Sequence, residues 1–489
     1  MSLAFFNTIS GKKEKFIPLQ HGKVKMYCCG VTPYGNTHIG HSRTFFSYDL
    51  LFRTLEDNEL KVEWARNITD VDDKIIQKAN KENLSCSEIV SRYVSEQDEM
   101  LALFNLQRPE FEPKVTENIS QIIELIKKLI QKEYAYVTNS GVYYRVRKFT
   151  QYGKLSKNKI DDLKKGARIE IDEAKEDALD FALWKFAKPN EIFWPSPWGD
   201  GRPGWHIECS AMIHSIFGDN IDIHMGGRDL IFPHHEAEIA QSEAATGKPL
   251  ATSWLHAGMV TLYGEKMSKS TNHFVAIKEF LAKYPSEVLR LVFLSVSYTH
   301  PLDFTFEMAT ENLKKLAKIY RFVSLMDSYA NKVNNSDFYH EEIFSDLDNL
   351  IPKMRESLAD DLNSAAALAV FFDFIKSVNV KLVAFEKSGK DLTLKDQEKL
   401  RSTWFEFKNW IKKAMGLLME EPNDFFVNLS NYKLTSEISA AEIEQKLKER
   451  KLARANKDWA RSDAIRDELL AQGIQIQDSP TGTKWTIVI

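Results

Sequence analysis

Cysteine is scarce in this chain: four residues in 489, at Cys28, Cys29, Cys86 and Cys209. So sparse a set cannot make a disulfide framework, and the expected setting is a reducing cytosol with free or metal-bound thiols. Long hydrophobic runs are also missing. The longest, Ala365 to Ile375, is interrupted by Asp373 and falls short of the roughly 18 to 20 residues a membrane-spanning helix needs. The opening residues, MSLAFFNTISGKKEKF, have neither the basic start nor the apolar middle of a signal peptide. Charge of one sign is lacking too. A net charge of −4 gives no global argument for nucleic acid, so any RNA surface has to be local. No internal repeat or low-complexity tract is present.

What remains is an ordinary globular composition, 43% hydrophobic and 27% charged, in a chain long enough for two to four domains. The stretch Met26 to His41, MYCCGVTPYGNTHIGH, passes from a short apolar run through Gly30 and Gly35 to His38-Ile39-Gly40-His41. A helical pattern (Phe45, Phe46, Leu50, Leu51) follows at once. Strand, glycine-containing turn and helix N-terminus are the parts α/β folds use to hold phosphate. A second apolar segment, Val62 to Ile68, runs into Thr69-Asp70-Val71-Asp72-Asp73, where Thr69 or Asp70 is the expected helix cap.

The expected fold is an α/β, Rossmann-like parallel-sheet domain over 1–134 and 200–250, with a small α+β unit inserted at 135–199. Residues 251–312 read as a linker, 313–422 as a helical bundle, and 423–489 as a small C-terminal domain with one long charged helix and a β-like ending.

Several constellations can carry chemistry. His38 and His41 at a helix start can donate to phosphate, with Gly40 allowing close approach; the plain alternative is a polar helix start. Lys266-Met-Ser-Lys269-Ser suits a mobile clamp for developing phosphate charge, or a solvated basic loop. Gly226-Gly227-Arg228-Asp229, after the strand-like Ile221 to His224, offers backbone approach plus a carboxylate, or a tight turn with a capping Asp229.

In Phe232-Pro-His234-His235-Glu236-Ala-Glu238, His234 and Glu238 share a helix face. With Cys209 and one of Cys28 or Cys29 they form a donor set that zinc accepts, although their spacing is not local. The rival is a buried thiol and a helix-start histidine. Trp205 can wall a pocket or belong to the core. From Lys446 to Arg466, eight basic residues stand against three acidic ones around Trp459. That suits an RNA backbone and an unstacked base, or a solvated helix.

Together, Tyr27 to His41, Arg66 to Asp73, Pro195 to Met212, Asp222 to Ala240, Lys266 to Ser270 and Gly482 to Trp485 resemble the cysteinyl-tRNA synthetases, a class I aminoacyl-tRNA synthetase family. The resemblance spans almost the whole chain. It implies zinc held by Cys29, Cys209, His234 and Glu238, because the family places one cysteine directly before the glycine here numbered Gly30. It further implies Gly30, Thr69, Trp205 and His224 around the amino acid. His38, Gly40, His41, Gly226, Gly227, Asp229, Lys266 and Lys269 would surround ATP and its Mg2+. Arg454, Lys457, Asp458 and Trp459 would lie on tRNA(Cys), the partner beside L-cysteine and ATP.

The sequence departs from the family after Ser270, where Thr271-Asn272-His273 replaces Leu-Gly-Asn. The implied activity is ATP-dependent cysteine activation and transfer to tRNA by a cytoplasmic monomer. The alternatives are a cysteine:amino-sugar ligase using the same adenylate and an inactive zinc- and RNA-binding paralogue.

Overall fold

The computed structural model describes residues 2–159, 174–189, 191–267, 273–331, 341–388, 394–429, 432, 440–471, 474–479 and 482–487. Lys269, with its neighbours 268 and 270–272, lies outside the described residues, as does much of the charged stretch expected between 157 and 180. The chain divides into two compact units. One holds 1–261, 298–302 and 359–363; the other holds 262–297, 303–358 and 364–489.

The first unit is organised on four parallel strands in the order Ala251–Ala257, Ile221–Gly227, Lys23–Cys28, Lys61–Arg66. Their apolar positions are buried on both faces; Ile221–Gly227 is buried at every residue, as expected of a parallel strand covered by helices. From Lys23–Cys28 the chain crosses through the helix Ile39–Asp57 to Lys61–Arg66 on one side. The later strands add on the other side. Lys23–Cys28 and Ile221–Gly227 are therefore the pair at which strand order reverses, and ligands of open α/β sheets bind outside the carboxyl ends of such a pair. Ala251–Ala257 belongs to this sheet, which thus runs past residue 250, where the sequence placed the start of the linker.

The segment expected as an insertion forms an antiparallel sheet of Ala135–Val137, Gly141–Tyr144, Phe181–Phe186 and Gly201–Pro203. It shares a core with the parallel sheet: Tyr144, Leu183 and Trp184 pack in one buried cluster with Tyr27, Ile207 and Trp254.

Two local expectations need correction. The helix after Lys61–Arg66 starts at Asp73 and is capped by Asp72, whose carboxylate accepts from the Lys74 N–H at 2.8 Å. Asp70 instead accepts from the backbone and hydroxyl of Thr116, and Thr69 is buried and turned elsewhere.

In the second unit the single long charged helix is two, Ala440–Ala455 and Trp459–Ala471. Lys457 takes φ 60°, its N–H bonds to Arg454 O, and the Asp458 N–H reaches back to Ala453 O. This left-handed closure satisfies the last carbonyls of one helix, and Asp458 then caps the next through Arg461 N–H at 3.0 Å. The chain finishes in the hairpin Ile474–Ser479 with Gly482–Ile487. Before it come bundle helices including Phe306–Asn331, Ser364–Ser388 and Leu394–Met415. Among the described residues no helix is long and apolar enough to cross a membrane.

Candidate metal centre and nucleotide site

Cys29 follows directly on the strand Lys23–Cys28, its N–H bonded to Met225 O at 3.1 Å. Because side chains alternate along a strand, Cys28 and Cys29 face opposite ways. Cys28 is fully buried and joins neither of the candidate metal-holding groups.

Cys209 sits on the helix Trp205–Phe217. His234 lies in the turn that leads into the helix Glu236–Thr246, which carries Glu238. Cys29, Cys209, His234 and Glu238 each present a ligand atom within 4.8 Å of the others, and all four are buried. The edges are 4.0 Å between the two sulfurs, 3.6 Å from Cys209 Sγ to His234 Nε2 and 3.6 Å from Cys29 Sγ to Glu238 Oε1. His234 Nε2 to Glu238 Oε1 is 3.0 Å. A tetrahedral zinc with bonds of about 2.0 to 2.3 Å needs edges of about 3.3 to 3.8 Å, so these four edges fit the ion with shifts of a few tenths of an ångström.

A second group overlaps the first: Cys29, His224, His235 and Glu238. Its histidines face inward as well, His235 Nε2 lying 3.3 Å from Cys29 Sγ. His224 Nε2 pairs with Glu238 Oε2 at 2.9 Å, and His235 Nδ1 faces His256 Nε2 at 2.8 Å, whose Nδ1 in turn faces Thr8 Oγ1 at 2.8 Å. His206 Nδ1 lies 3.0 Å from His234 Nδ1. These are the outer hydrogen bonds that orient ligand side chains.

The electrostatics follow from burial and charge. Burial pushes the Cys29 thiol up, while its hydrogen bond draws Cys209 down to about 6. Burial would raise Glu238, but His224 and His234 outweigh it and hold the carboxylate well below its ordinary range. Burial would lower His234, but Glu238 and Cys209 outweigh it and hold the imidazole up at about 10. Burial leaves His206 and His256 neutral, each near 3.

Around this cluster stand the other residues expected at the amino acid. His224 stacks on Trp254 at 4.4 Å, and Trp205 stacks on His234 at 4.3 Å while keeping 41% exposure. Thr69 is buried, and its hydroxyl lies 3.3 Å from Glu208 Oε2. Gly30 must be glycine: a Cβ there would come within 1.9 Å of Asn67 O.

On the nucleotide side, His38 is the N-cap residue of the helix Ile39–Asp57, and its ring stacks on His41 at 3.7 Å. Gly40 lies in that helix's first turn. Gly226 and Gly227 end the strand Ile221–Gly227. A Cβ on Gly226 would meet the His235 ring at 2.5 Å, so glycine lets strand and metal cluster approach. Asp229 lies in the single turn Arg228–Leu230 that follows.

In the second unit Lys266 is exposed on the short strand Glu265–Lys266. His273 faces Leu262 O through Nε2 at 3.0 Å. Arg454, Lys457, Asp458 and Trp459 meet at the break between the last two helices, with Trp459 58% exposed. Much of the basic charge there is spent locally. Arg450 holds Asp478 through its two terminal guanidinium nitrogens at 2.8 and 2.9 Å, Arg454 joins the same carboxylate, and Lys446 pairs with Glu468.

Sequence reasoning missed Asn67, Glu208, His206, His235 and His256 as parts of this site. His206 and Glu208 stand inside a motif already singled out, but His256 carries no local signal at all.

The family described as tRNA synthetases class I (C) catalytic domain matches residues 15–315. A DALR domain matches 353–419, and a cysteinyl-tRNA ligase anticodon binding domain matches 439–485. The chain is 44% identical over 493 residues to the cysteine--tRNA ligase of Geobacter metallireducens, covering 100% of both chains. It is 43% identical over 489 residues to that of Geobacter sulfurreducens, again with 100% of both covered. Among solved structures, methionyl-tRNA synthetase of Mycobacterium tuberculosis in complex with methionyl-adenylate aligns with a TM-score of 0.62 at 15% identity. That alignment covers 83% of this chain and 94% of the other, and it shows a shared fold.

Proposed function

The chain belongs to the cysteine--tRNA ligase family, and on that premise we propose that Cys29, Cys209, His234 and Glu238 hold a zinc ion that selects cysteine. The protein is an aminoacyl-tRNA synthetase, with cysteine, ATP and tRNA(Cys) as substrates. The amino-sugar ligase and the inactive paralogue are not favoured beside full-length relatives and a matching anticodon domain.

The observation that carries the zinc reading is the convergence of two sulfurs, one imidazole and one carboxylate with edges close to those a tetrahedral ion requires. Bound there, zinc would supply a Lewis-acidic position that takes thiolate strongly and neutral hydroxyl poorly. An apolar pocket alone separates such near-isosteres as serine and cysteine by only about a hundredfold.

The reaction proceeds in two displacements. The cysteine carboxylate attacks the α-phosphorus of ATP and pyrophosphate leaves; the terminal ribose of tRNA(Cys) then takes the cysteinyl group and AMP leaves. Phosphoryl chemistry of this kind asks for placement and charge neutralisation more than covalent help. His38 and His41 donate to phosphate oxygens at the helix N-terminus, and Gly40, Gly226 and Gly227 let ATP approach the backbone. Asp229 accepts from ribose hydroxyls or the substrate amine, and Trp205 and His224 wall the amino acid. Lys266 and Lys269 take charge developing on the pyrophosphate, a load shared with the Mg2+ that accompanies ATP. Arg454, Lys457, Asp458 and Trp459 contact tRNA. The same reading has the enzyme act as a monomer in the cytoplasm.

Cysteine-dependent ATP–pyrophosphate exchange tests the activation step. Exchange that needs bound zinc supports this assignment; exchange of equal rate and cysteine selectivity after complete zinc removal would overturn it.

A further inference from the structure

A closed ring of hydrogen bonds braces the edge strand Ala251–Ala257, and all of its members belong to the first unit. The Thr8 N–H donates to Trp254 O at 2.9 Å and the Trp254 N–H donates to Asn7 Oδ1 at 3.0 Å, which fastens the hairpin of Ala4–Asn7 and Lys12–Lys15 to the strand. Asp361 is fastened to the same hairpin. Its N–H donates to Ala4 O at 2.8 Å, and its Oδ1 accepts from the Phe6 N–H at 2.8 Å. That oxygen also accepts from the hydroxyl of the buried Tyr298 at 3.3 Å. The Tyr298 carbonyl closes the ring by accepting from the Gly258 N–H at 2.7 Å, one residue past the strand. Asp361 and Leu362 take φ of 60° and 51°, a conformation that residues other than glycine keep only where the surroundings over-determine it.

The rim of this ring reaches the nucleotide side. His300 O accepts from Arg43 Nη2 at 2.8 Å, and glycine at 258 makes room for that carbonyl, which a Cβ there would meet at 2.1 Å. Arg43 stands two residues after His41 on the helix Ile39–Asp57 and is 2% exposed. Burial draws its guanidinium down to about 10, so it stays charged at neutral pH.

We propose that Arg43 and Tyr298 are positioning residues for ATP, setting the placement of the helix start that carries His38 and His41. That helix start has little of its own to fix it. His38 occupies the N-cap position without bonding back to the first turn through its side chain. A helix start without such a cap keeps its N–H groups for phosphate, and its placement has to come from contacts further along. Arg43, just past the first turn, reaches outside its own helix to a brace that is fixed to the sheet. A cation near a helix N-terminus opposes the helix dipole, and burying it adds to the cost. Both costs fall when a polyanion docks at that end. The inference rests on the reading of His38 and His41 as ATP contacts.

The test is cysteine-dependent pyrophosphate exchange with ATP and cysteine varied separately. In Arg43→Ala, kcat/KM for ATP should fall on the order of tenfold to a hundredfold, the loss that follows from misplacing a group that orients a reactant. The KM for cysteine and the zinc content should hold. Tyr298→Phe removes one hydroxyl without opening a cavity, and should lower kcat/KM for ATP about threefold to tenfold. Arg43→Lys keeps the charge and a donor, and should recover most of the loss. Tyr298→Phe added to Arg43→Ala should cost little more than Arg43→Ala alone, because residues that act through one contact are not additive.

Equal losses toward ATP and cysteine would overturn the proposal and leave Arg43 a residue of general stability. Independent, additive losses in the double variant would overturn it as well. Should Arg43→Ala fail to fold, Tyr298→Phe decides alone: a fall confined to ATP supports the proposal, and unchanged ATP kinetics overturn it. A wild-type enzyme without exchange would instead remove the underlying functional reading, so the wild-type control tells the two failures apart.

Discussion

His206 and His234 meet through their Nδ1 atoms at 3.0 Å. The Nε2 of His234 is turned to Cys209 and Glu238, so its Nδ1–H is the group left to donate, and the neutral ring of His206 accepts. His206 is itself held by the backbone: Gln241 Nε2 donates to its carbonyl at 2.7 Å. Replacing His206 by Ala removes the partner that sets the tautomer and tilt of His234. Zinc affinity should fall about 10- to 100-fold, measured by competition with a chromophoric chelator. Wild-type affinity in His206→Ala would show that His234 needs no such partner.

The two adjacent cysteines give a sharper contrast. Cys29 Sγ lies within 4.0 Å of Cys209 Sγ, whereas Cys28 is enclosed in the core and pushed up by burial. Cys29→Ser should lose bound zinc and with it the discrimination against serine. Cys28→Ser should keep zinc at one per chain, with a stability loss of about 1 kcal/mol for a hydroxyl placed in an apolar site. Metal analysis of the two purified variants decides the matter, and the reverse pattern would exchange the roles of the two thiols.

A pH effect is expected in the second unit. Glu287, fully buried on the helix Ser286–Leu294, is pushed up from 4.5 to about 7 by burial, against hydrogen bonds from Tyr320 Oη at 2.6 Å and the Leu418 N–H at 2.5 Å. Between these values the native state keeps a proton that the unfolded chain releases. Stability from this group is therefore complete below about pH 4.5 and falls as pH rises toward 7, by about 3 kcal/mol in all. Urea unfolding at a series of pH values should show that slope, and Glu287→Gln should flatten it. A slope unchanged in Glu287→Gln would assign it to another group.

At the C-terminal turn, Trp459 is exposed beside Lys457, while Arg450 and Arg454 are engaged by Asp478. Lys457→Ala and Trp459→Ala should leave cysteine-dependent pyrophosphate exchange intact and lower kcat/KM for charging of tRNA about tenfold, since base–aromatic stacking is worth about 1 to 3 kcal/mol. Parallel losses in both assays would point to destabilisation of the chain instead.

Much of this architecture was legible in the sequence for identifiable reasons. Strand, turn and helix at Met26 to Leu51 announce themselves through apolar runs and glycine, and these are local signals. The helix cap at Asp72 was not legible, because Thr69, Asp70, Asp72 and Asp73 are all competent caps and only packing decides among them. Thr69 turns inward to Asn67 and Glu208, and Asp70 is taken by Thr116.

The break at Lys457 was overlooked because lysine in a left-handed conformation contradicts its propensity. The Asn456-Lys457-Asp458 sequence followed by a fresh helix was the signal available. The outer histidines were beyond reach for another reason: His256 touches His235 only because Ala251–Ala257 pairs with Ile221–Gly227, a fact of sheet order rather than of spacing.

The four donors of the metal cluster also set a timetable for making the protein. Cys29 is synthesised early, Cys209 long after it, and His234 and Glu238 later still. The sulfurs come together only when Ile221–Gly227 has docked beside Lys23–Cys28, a pairing of high sequence separation whose loop-closure entropy makes it slow. A nascent chain ending before Glu238 offers an ion fewer than four ligands. Any metal held by these four donors would thus be captured late in biogenesis, once the strands that carry and support them have paired.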